Sequence, residues 1–163
     1  MLRLNHAFED SLLKAVKSLQ YSREFANGPS IAFFGKGTDY FYSGRHHYSN
    51  EWAQWLDTIT QLKFPEELRS DWNHCLINRY EPFAKLGEHR DDEPCLDGSI
   101  LSVSLGGTAE FRYRPNRSTP STCIELSHGD ILIADGDWWH DNYHSARNKG
   151  EERFNLTFRR VKK

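Results

Sequence analysis

Residues 74–94 read HCLINRYEPFAKLGEHRDDEP, and this stretch decides which class of fold the chain adopts. Its first seven residues are a mostly apolar run that is typical of a strand, and a proline turn follows them. The His-x-Asp triplet from His89 to Asp91 comes next, and in an extended segment the side chains of residues two apart point the same way. Taken alone, the triplet and its acidic neighbours are more typical of a solvated charged turn than of a metal site.

Short runs rich in β-branched and aromatic residues continue to the end of the chain, with Gly, Pro, Asp or Asn turns between them. The runs are SILSVSLG (99–106), AEFRYR (109–114), DILIAD (130–135) and RFNLTFRRV (153–161). No helical pattern separates them, which argues against a parallel doubly wound sheet. We therefore predict an α+β fold whose mainly antiparallel strands form a sandwich or a jelly roll.

Two segments in the N-terminal half carry apolar residues at helical spacing, namely residues 6–19 and residues 50–62. Asn50 has the residue type and the position expected of an N-cap for the second helix. We predict that both helices pack on the sheet.

The bulk composition of the 163 residues excludes several classes of protein. A net charge of −2 provides no global basic field, so nucleic acid would have to meet a local patch. Three cysteines without a CxxC pair argue against a zinc knuckle and a disulfide scaffold, and favour a reducing, intracellular setting. The N-terminus has neither a signal peptide nor a membrane span. We expect one domain over residues 1–163 and a monomer.

A metal site would need a third ligand from later in the chain, and three histidines are candidates. His128 lies in SHGD, which reads as a turn before the strand at 130–135, whereas His140 and His144 both lie in DWWHDNYHSA (137–146). Spacing alone does not separate the last two. Two histidines and one carboxylate hold non-haem Fe(II) with open positions, but a histidine in an aromatic run is commonly a hydrogen-bonded core residue.

Arg153, Asn155, Thr157 and Arg159 share one face if residues 153–161 form a strand. Two arginines on the inner face of a small sheet are costly unless they meet anions. A dicarboxylate bound by arginine forks would be such a partner, and an internal acid is the alternative.

Five motifs, in chain order, resemble those of one family, and they are LINRYEPFAKLGEHRDDEP, SVSLGG, LSHGDILI, YHSA and RFNLTFR. The family is AlkB, a group of Fe(II)- and 2-oxoglutarate-dependent dioxygenases that remove alkyl groups from nucleic-acid bases. The resemblance is strong from about residue 73 to about residue 160 and traceable from about residue 30. It implies a double-stranded β-helix (jelly roll) that uses Fe(II), 2-oxoglutarate and O2.

The resemblance also implies roles for individual residues. The iron ligands it implies are His89, Asp91 and His144, with His140 as a neighbour. The residues it places around 2-oxoglutarate or beside the iron-bound acids are Asn78, Tyr80, Arg153, Asn155 and Arg159. Arg153 would pair with the distal carboxylate of the co-substrate.

The segment from about residue 30 to about residue 48 corresponds to the substrate lid of the family. The substrate-binding residues implied there and after the triplet are Phe33, Phe34, Tyr40, Tyr42 and Glu93. Alternating aromatic residues are also typical of a packed strand. Phosphates could be met by Lys36, Arg45, His46 and His47, or by Arg112, Arg114 and Arg117, although both groups also fit a solvated face.

The function that follows is oxidative demethylation of bases such as 1-methyladenine and 3-methylcytosine in single-stranded DNA, RNA or both. It would couple 2-oxoglutarate decarboxylation to methyl hydroxylation and formaldehyde release. Three alternatives remain open: a hydroxylase of another substrate, a silent nucleic-acid-binding module, and a structural jelly roll without metal. The motifs mix bacterial and animal features, and a compact enzyme from a bacterium or a virus fits them.

Overall fold

The computed structural model describes residues 2–24, 26–42 and 44–162. Its strands, in chain order, are β1 (Leu2–Arg3), β2 (Ser22–Arg23), β3 (Ser30–Gly35), β4 (Tyr40–Tyr42), β5 (Arg45–His47), β6 (Asn50–Glu51), β7 (His74–Tyr80), β8 (Lys85–His89), β9 (Leu96–Gly106), β10 (Ala109–Arg114), β11 (Thr122–Leu126), β12 (Asp130–Ala134), β13 (Tyr143–Asn148) and β14 (Arg153–Val161). Its helices are α1 (His6–Lys17), α2 (Gln54–Thr60) and α3 (Gly136–Asp141), with a 3-10 turn at Glu66–Leu68.

Two sheets face each other across a central cavity. The large sheet has the strand order β1-β12-β9-β14-β7-β3-β2, with β6 added beside β3, and the small sheet has the order β11-β10-β13-β8. Strands β4 and β5 form a separate hairpin. Apart from the parallel pairing of β3 with β6, the described pairings are antiparallel. This arrangement is a jelly roll and confirms the predicted fold class.

Strand β14 alternates between the two sides of the large sheet, as a strand period of two requires. Phe154, Leu156 and Phe158 are buried in the main apolar core, where the side chains of α1 and α2 also pack. The residues between them face the cavity instead. The large sheet therefore separates an apolar layer under the helices from a polar layer that faces the small sheet.

The two predicted helices are present, but the start of the second was predicted wrongly. Helix α1 begins after Asn5, whose side chain accepts a hydrogen bond from the amide of Phe8. Asn50 does not cap α2, because it lies in strand β6 and its side chain donates to the carbonyl of Phe33. Helix α2 begins later, after Ala53, and has no side-chain cap.

The sequence pattern did not predict the third helix. Asp135 caps α3 by accepting a hydrogen bond from the amide of Trp138. Trp139 then buries its ring against Phe111 of the small sheet. With only six residues, α3 is too short to show a helical apolar period. Among the helices of the described ranges, none combines the length and the apolar character needed to cross a bilayer.

A polar cluster joins the start of α1 to the turn between β11 and β12. The Nδ1 atom of His6 lies 2.8 Å from Oε1 of the buried Glu9. The Nδ1 atom of His128 accepts the amide of Gly106, which leaves the proton on Nε2 facing Asp10 at 3.1 Å. His128 is thus the turn residue that the sequence predicted, and its ring anchors the helix.

Gly129 has a φ of +88°, and a Cβ built on it would lie 1.8 Å from Oε2 of Glu9. We expect Gly129→Ala to lower the free energy of unfolding by at least about 1 kcal/mol, because both the backbone and the buried carboxylate oppose the methyl group. Urea unfolding measures the loss. Gly150→Ala is the matched control, because its Cβ would enter open space, and equal stabilities of the two variants would contradict the prediction.

Candidate active site

A cavity of about 510 Å³ lies between the two sheets. The large sheet contributes side chains from β3, β7, β9 and β14, the small sheet contributes side chains from β8, β10 and β13, and the β4–β5 hairpin closes one side. The alternation of β14 places Arg153, Asn155, Thr157 and Arg159 on the cavity wall, as the sequence predicted.

Three side chains from the small sheet and its adjoining loop converge on one point of the cavity. His89 ends β8 and stands opposite His144 of β13, and Asp91 follows two residues later. Oδ1 of Asp91 lies 3.5 Å from Nε2 of His89 and 3.8 Å from Nε2 of His144. The ligand-type atoms of the three residues all lie within 4.8 Å of one another.

The outer nitrogen of each imidazole is engaged by the backbone. Nδ1 of His89 lies 2.8 Å from the carbonyl oxygen of Gly87, and Nδ1 of His144 lies 3.2 Å from that of Asn142. A carbonyl only accepts, so each Nδ1 carries a proton and each Nε2 is the atom that faces the centre of the triad. Bonds of this kind fix the tautomer and the ring orientation of metal-binding histidines.

The ionisation states also suit a metal site. Burial lowers the pKa of His144 to about 4, so its imidazole is neutral at pH 7. Burial alone would raise the pKa of Asp91, but the charge of Arg159 and the contact with His89 outweigh it and hold the pKa well below its usual range. Burial alone would lower the pKa of His89, but the contacts with Asp91 and with the carbonyl of Gly87 outweigh it and raise the pKa, so a metal would compete with a proton for this ring. Two imidazoles and one carboxylate are the donor set of non-haem Fe(II) sites, so these residues fit that ion.

Arg159 holds the second oxygen of Asp91. Its Nη2 donates to Oδ2 of Asp91 at 3.1 Å, and both side chains are buried. The first oxygen, Oδ1, remains directed at the two histidines. Arg159 therefore orients the carboxylate and compensates its charge.

Arg153 is almost completely buried, and among the described residues it forms no ion pair with a carboxylate. Its Nη2 donates to Oγ of Ser104 at 2.9 Å, its guanidinium lies 5.3 Å from the ring centroid of Tyr80, and its Nε has no hydrogen-bond partner in the described ranges. A buried cation without an acid is costly. The pattern fits a site for a carboxylate ligand.

Asn78 and Tyr80 lie on β7 with their side chains in the same cavity, and Asn78 stands directly opposite Asn155. Asn155 is already engaged by the protein. It donates to Ser102 at 2.7 Å and accepts from Thr157 at 3.0 Å. These bonds fix Asn155 within the cavity wall and use its amide group within the protein.

The predicted lid divides into two structural units. Strand β3 belongs to the large sheet, and only the β4–β5 hairpin stands over the cavity. Tyr40 and Tyr42 line the cavity, and the buried Phe33 packs beneath both rings. Phe34 lies on the other side of the sheet against Trp55, so its position gives no support to a substrate contact. Ser43 lies outside the described residues.

Glu93, the remaining residue predicted to meet substrate, lines the cavity. Its Oε2 is buried without a hydrogen-bond partner in the described part of the chain, and burial raises its pKa. The hydroxyl of Tyr40 is likewise buried and unpartnered there. The two side chains are close enough to shift each other's pKa, so Tyr40 and Glu93 form one polar patch on the cavity wall.

Sequence reasoning missed the serines that support the arginine and the asparagine. Ser102 and Ser104 lie on β9 and hold Asn155 and Arg153, respectively. The signal was present, because SVSL places a serine at every second position of an apolar run. Polar residues with a period of two in a buried strand indicate a polar wall.

His140 and His144 differ in environment. His140 lies on α3 with an exposed side chain, and its Nδ1 lies 2.8 Å from Asp141. We therefore expect His140→Ala to bind Fe(II) with the affinity of the unchanged protein, measured anaerobically by calorimetry. A clear loss of affinity would show that the ligand assignment is wrong.

Comparison with known proteins gives concordant results. A family model described as the 2OG-Fe(II) oxygenase superfamily matches residues 11–159. The chain is 32% identical over 131 residues to the RNA-directed RNA polymerase of Lolium latent virus, covering 79% of this chain and 8% of the viral protein. It is 45% identical over 98 residues to the Alpha-ketoglutarate-dependent dioxygenase AlkB of Salmonella typhimurium, covering 53% of this chain and 44% of the bacterial protein.

Among solved structures, that of OsALKBH1 matches with a TM-score of 0.71 at 21% identity, covering 96% of this chain and 93% of that chain. At this level of identity the likeness shows the fold alone. The chain spans less than a tenth of its viral relative and less than half of its bacterial relative.

Proposed function

Since this chain belongs to the 2OG-Fe(II) oxygenase superfamily, and within it to the AlkB family, we propose that it oxidatively demethylates N-alkylated bases in single-stranded nucleic acid. Members of the superfamily use Fe(II), 2-oxoglutarate and O2. The observation that carries the proposal is one cavity that holds the His89–Asp91–His144 triad, a buried Arg153 that pairs with no carboxylate among the described residues, and a wall lined by Tyr40 and Tyr42.

When bound, Fe(II), 2-oxoglutarate and O2 would supply the oxidising chemistry. One oxygen atom of O2 would hydroxylate the methyl group, which leaves as formaldehyde, and the other would convert 2-oxoglutarate into succinate and carbon dioxide. The chain supplies binding and orientation. His89, Asp91 and His144 would hold the metal, and Arg159 keeps one oxygen of Asp91 turned toward it. Arg153 would bind the distal carboxylate of 2-oxoglutarate, with its guanidinium steadied by Ser104.

The entrance suits a flat cationic base. Tyr40 and Tyr42 line the cavity with ring centroids 5.4 Å apart. Tyr40 is almost completely buried, and Tyr42 stacks on His47 at 4.1 Å, so a base would lie against the side of these rings that faces the cavity. Glu93 adds a carboxylate at the same wall. 1-Methyladenine and 3-methylcytosine carry positive charge, so ring faces and a carboxylate attract them. Such lesions also leave the base stack at lower cost than a paired base.

RNA is the nucleic acid that we propose first. A viral relative that covers 79% of this chain is named for RNA-directed RNA synthesis, and it shares 32% identity over 131 residues. An oxygenase that accompanies such an activity would meet methylated RNA as its substrate. DNA is the alternative, and the experiment below measures both.

The test is reconstitution with Fe(II) and 2-oxoglutarate, followed by oligonucleotides read by mass spectrometry. Single-stranded RNA and DNA would each carry one 1-methyladenine or one 3-methylcytosine. We expect loss of a methyl mass that depends on 2-oxoglutarate, faster on RNA than on DNA. Succinate formation without methyl loss on any oligonucleotide would refute the proposed substrate and direct the search to another class of compound.

A further inference from the structure

We propose that Arg90, at the mouth of the cavity, and Arg117, which shares the ring of Tyr143 with it, form a phosphate-binding rim for the strand that flanks the target nucleotide. We call these three residues the arginine rim. The proposal rests on nucleic acid being the substrate, as argued above. It adds a binding surface that begins at the edge of the cavity with Arg90 and continues to Arg117.

The geometry brings two guanidinium groups together. The Cζ atoms of Arg90 and Arg117 lie 4.9 Å and 4.8 Å from the ring centroid of Tyr143, so the two cations stand within about 10 Å of each other. Two like charges held on one ring repel each other. A bound anion beside either of them would relieve that repulsion.

The acids near the rim leave both cations largely available. Arg114, which stands opposite Tyr143 on β10, takes both oxygens of Glu88 at 2.7 and 2.8 Å. Arg117 reaches the same carboxylate only at 3.5 Å, and Arg90 reaches Asp92 at 3.4 Å. The side chains of Arg117 and Arg90 keep 67% and 36% of their exposure, so their donors are open to an incoming ligand.

The position fits a strand that delivers its base to the iron site. Arg90 lies between His89 and Asp91 in sequence and lines the cavity mouth, and Tyr143 precedes His144. The side chain of Arg90 extends from the cavity mouth to the ring of Tyr143, where it meets Arg117. A phosphodiester at the rim would thus lie next to the nucleotide whose base enters the cavity. Arginine forks match phosphate oxygens in shape as well as charge.

The arginine rim would also explain how a chain with a net negative charge can bind nucleic acid. With a net charge of −2, the chain has no general attraction for nucleic acid. A local pair of arginines would supply phosphate contacts that fix the register of the strand without reading its sequence.

The test is the salt dependence of binding, measured by fluorescence anisotropy with a labelled, unmethylated single-stranded RNA. Arg117→Gln is the cleaner variant, because Arg117 lies in the loop after β10 and is distant in sequence from the iron ligands. For single strands, each lost phosphate contact lowers the log–log salt slope by about 0.7. We expect that decrease for Arg117→Gln and roughly twice that decrease for the double variant with Arg90→Gln.

Arg160→Gln is the matched control. Arg160 is 47% exposed and 3.7 Å from Asp97, which resembles the rim arginines, but it contacts neither Tyr143 nor the cavity that holds the iron ligands. If the salt slope of RNA binding were the same for Arg117→Gln as for Arg160→Gln, the proposal would be wrong. It would also be wrong if the RNA affinity of the unchanged protein did not depend on salt. RNA binding is measured here without turnover. A failure to demethylate would therefore refute the proposed function, and the salt slopes would still test whether the two arginines bind phosphate.

A second readout compares substrates of different length. The double variant should raise the KM for a 3-methylcytosine oligonucleotide by about 10-fold relative to its KM for the free 3-methylcytidine nucleoside, because the nucleoside has no phosphate to lose. An equal rise for both substrates would mean that the arginines shape the base pocket or the iron site instead, and would also overturn the proposal.

Discussion

Replacing His144 with alanine should reduce 2-oxoglutarate turnover by more than about 100-fold, because even the loss of a group that only orients a metal ligand costs 10- to 100-fold. His144 would provide one of the two imidazole nitrogens of the triad, and its Nε2 faces Oδ1 of Asp91 at 3.8 Å. The measurements are anaerobic Fe(II) binding and succinate release. Turnover within about threefold of the unchanged protein would remove His144 from the triad.

Two further variants distinguish loss of iron binding from loss of folding. His140 lies on α3, four residues before His144, and His140→Ala should retain both iron binding and turnover. Asp91→Asn should lose turnover and also stability, because Arg159 would remain buried without its carboxylate. Breaking a buried pair from one side costs about 3–5 kcal/mol. His144→Ala removes a neutral ring, so it should lose activity without that charge penalty.

Arg153→Met is expected to weaken 2-oxoglutarate binding by roughly 30-fold to several thousand-fold, since truncating one partner of a buried charge pair costs about 2–5 kcal/mol. Methionine keeps much of the apolar stem and removes the cation. The dissociation constant would be measured anaerobically by calorimetry in the presence of Fe(II). Arg79→Met is the control, because Arg79 is exposed and paired with Glu152 at 2.6 Å.

The same substitution makes a second prediction about stability. Without a ligand, Arg153 is a buried cation that pairs with no carboxylate among the described residues. Arg153→Met should therefore raise the free energy of unfolding when 2-oxoglutarate is absent, while removing the stabilisation that 2-oxoglutarate gives the unchanged protein. A variant that is less stable without ligand and still binds it would assign Arg153 a structural role.

The strands that build the cavity were predictable because their patterns are strong and local. RFNLTFRRV alternates apolar and polar residues, and β14 places Phe154, Leu156 and Phe158 on the helix side, as that alternation requires. The motif containing His89 and Asp91 was readable for the same reason. In an extended chain, residues two apart point to the same side, so the sequence alone predicts which side chains share a face.

The features that sequence could not decide depend on long-range contacts. His140 and His144 have similar neighbours in sequence, and only the pairing of β13 with β8 places His144 opposite His89. Phe33 and Phe34 must face opposite sides of β3, but which of them meets the hairpin is set by the sheet. Helix α2 starts late because Asn50 is held by the carbonyl of Phe33, a contact 17 residues away.

The alternation of β14 has a consequence for how the protein folds. If β14 paired with its neighbours one residue out of register, Arg153 and Arg159 would be forced among the side chains beneath α1 and α2, and three large apolar side chains would enter the polar cavity. The shifted register would be less stable for two reasons. It would bury the arginine charges in an apolar core, and it would leave apolar side chains in a polar cavity. Arg153 and Arg159 therefore have a second effect besides binding co-substrate and orienting an iron ligand. They make the shifted register of β14 less stable than the native register, which disfavours compact but inactive forms of the chain.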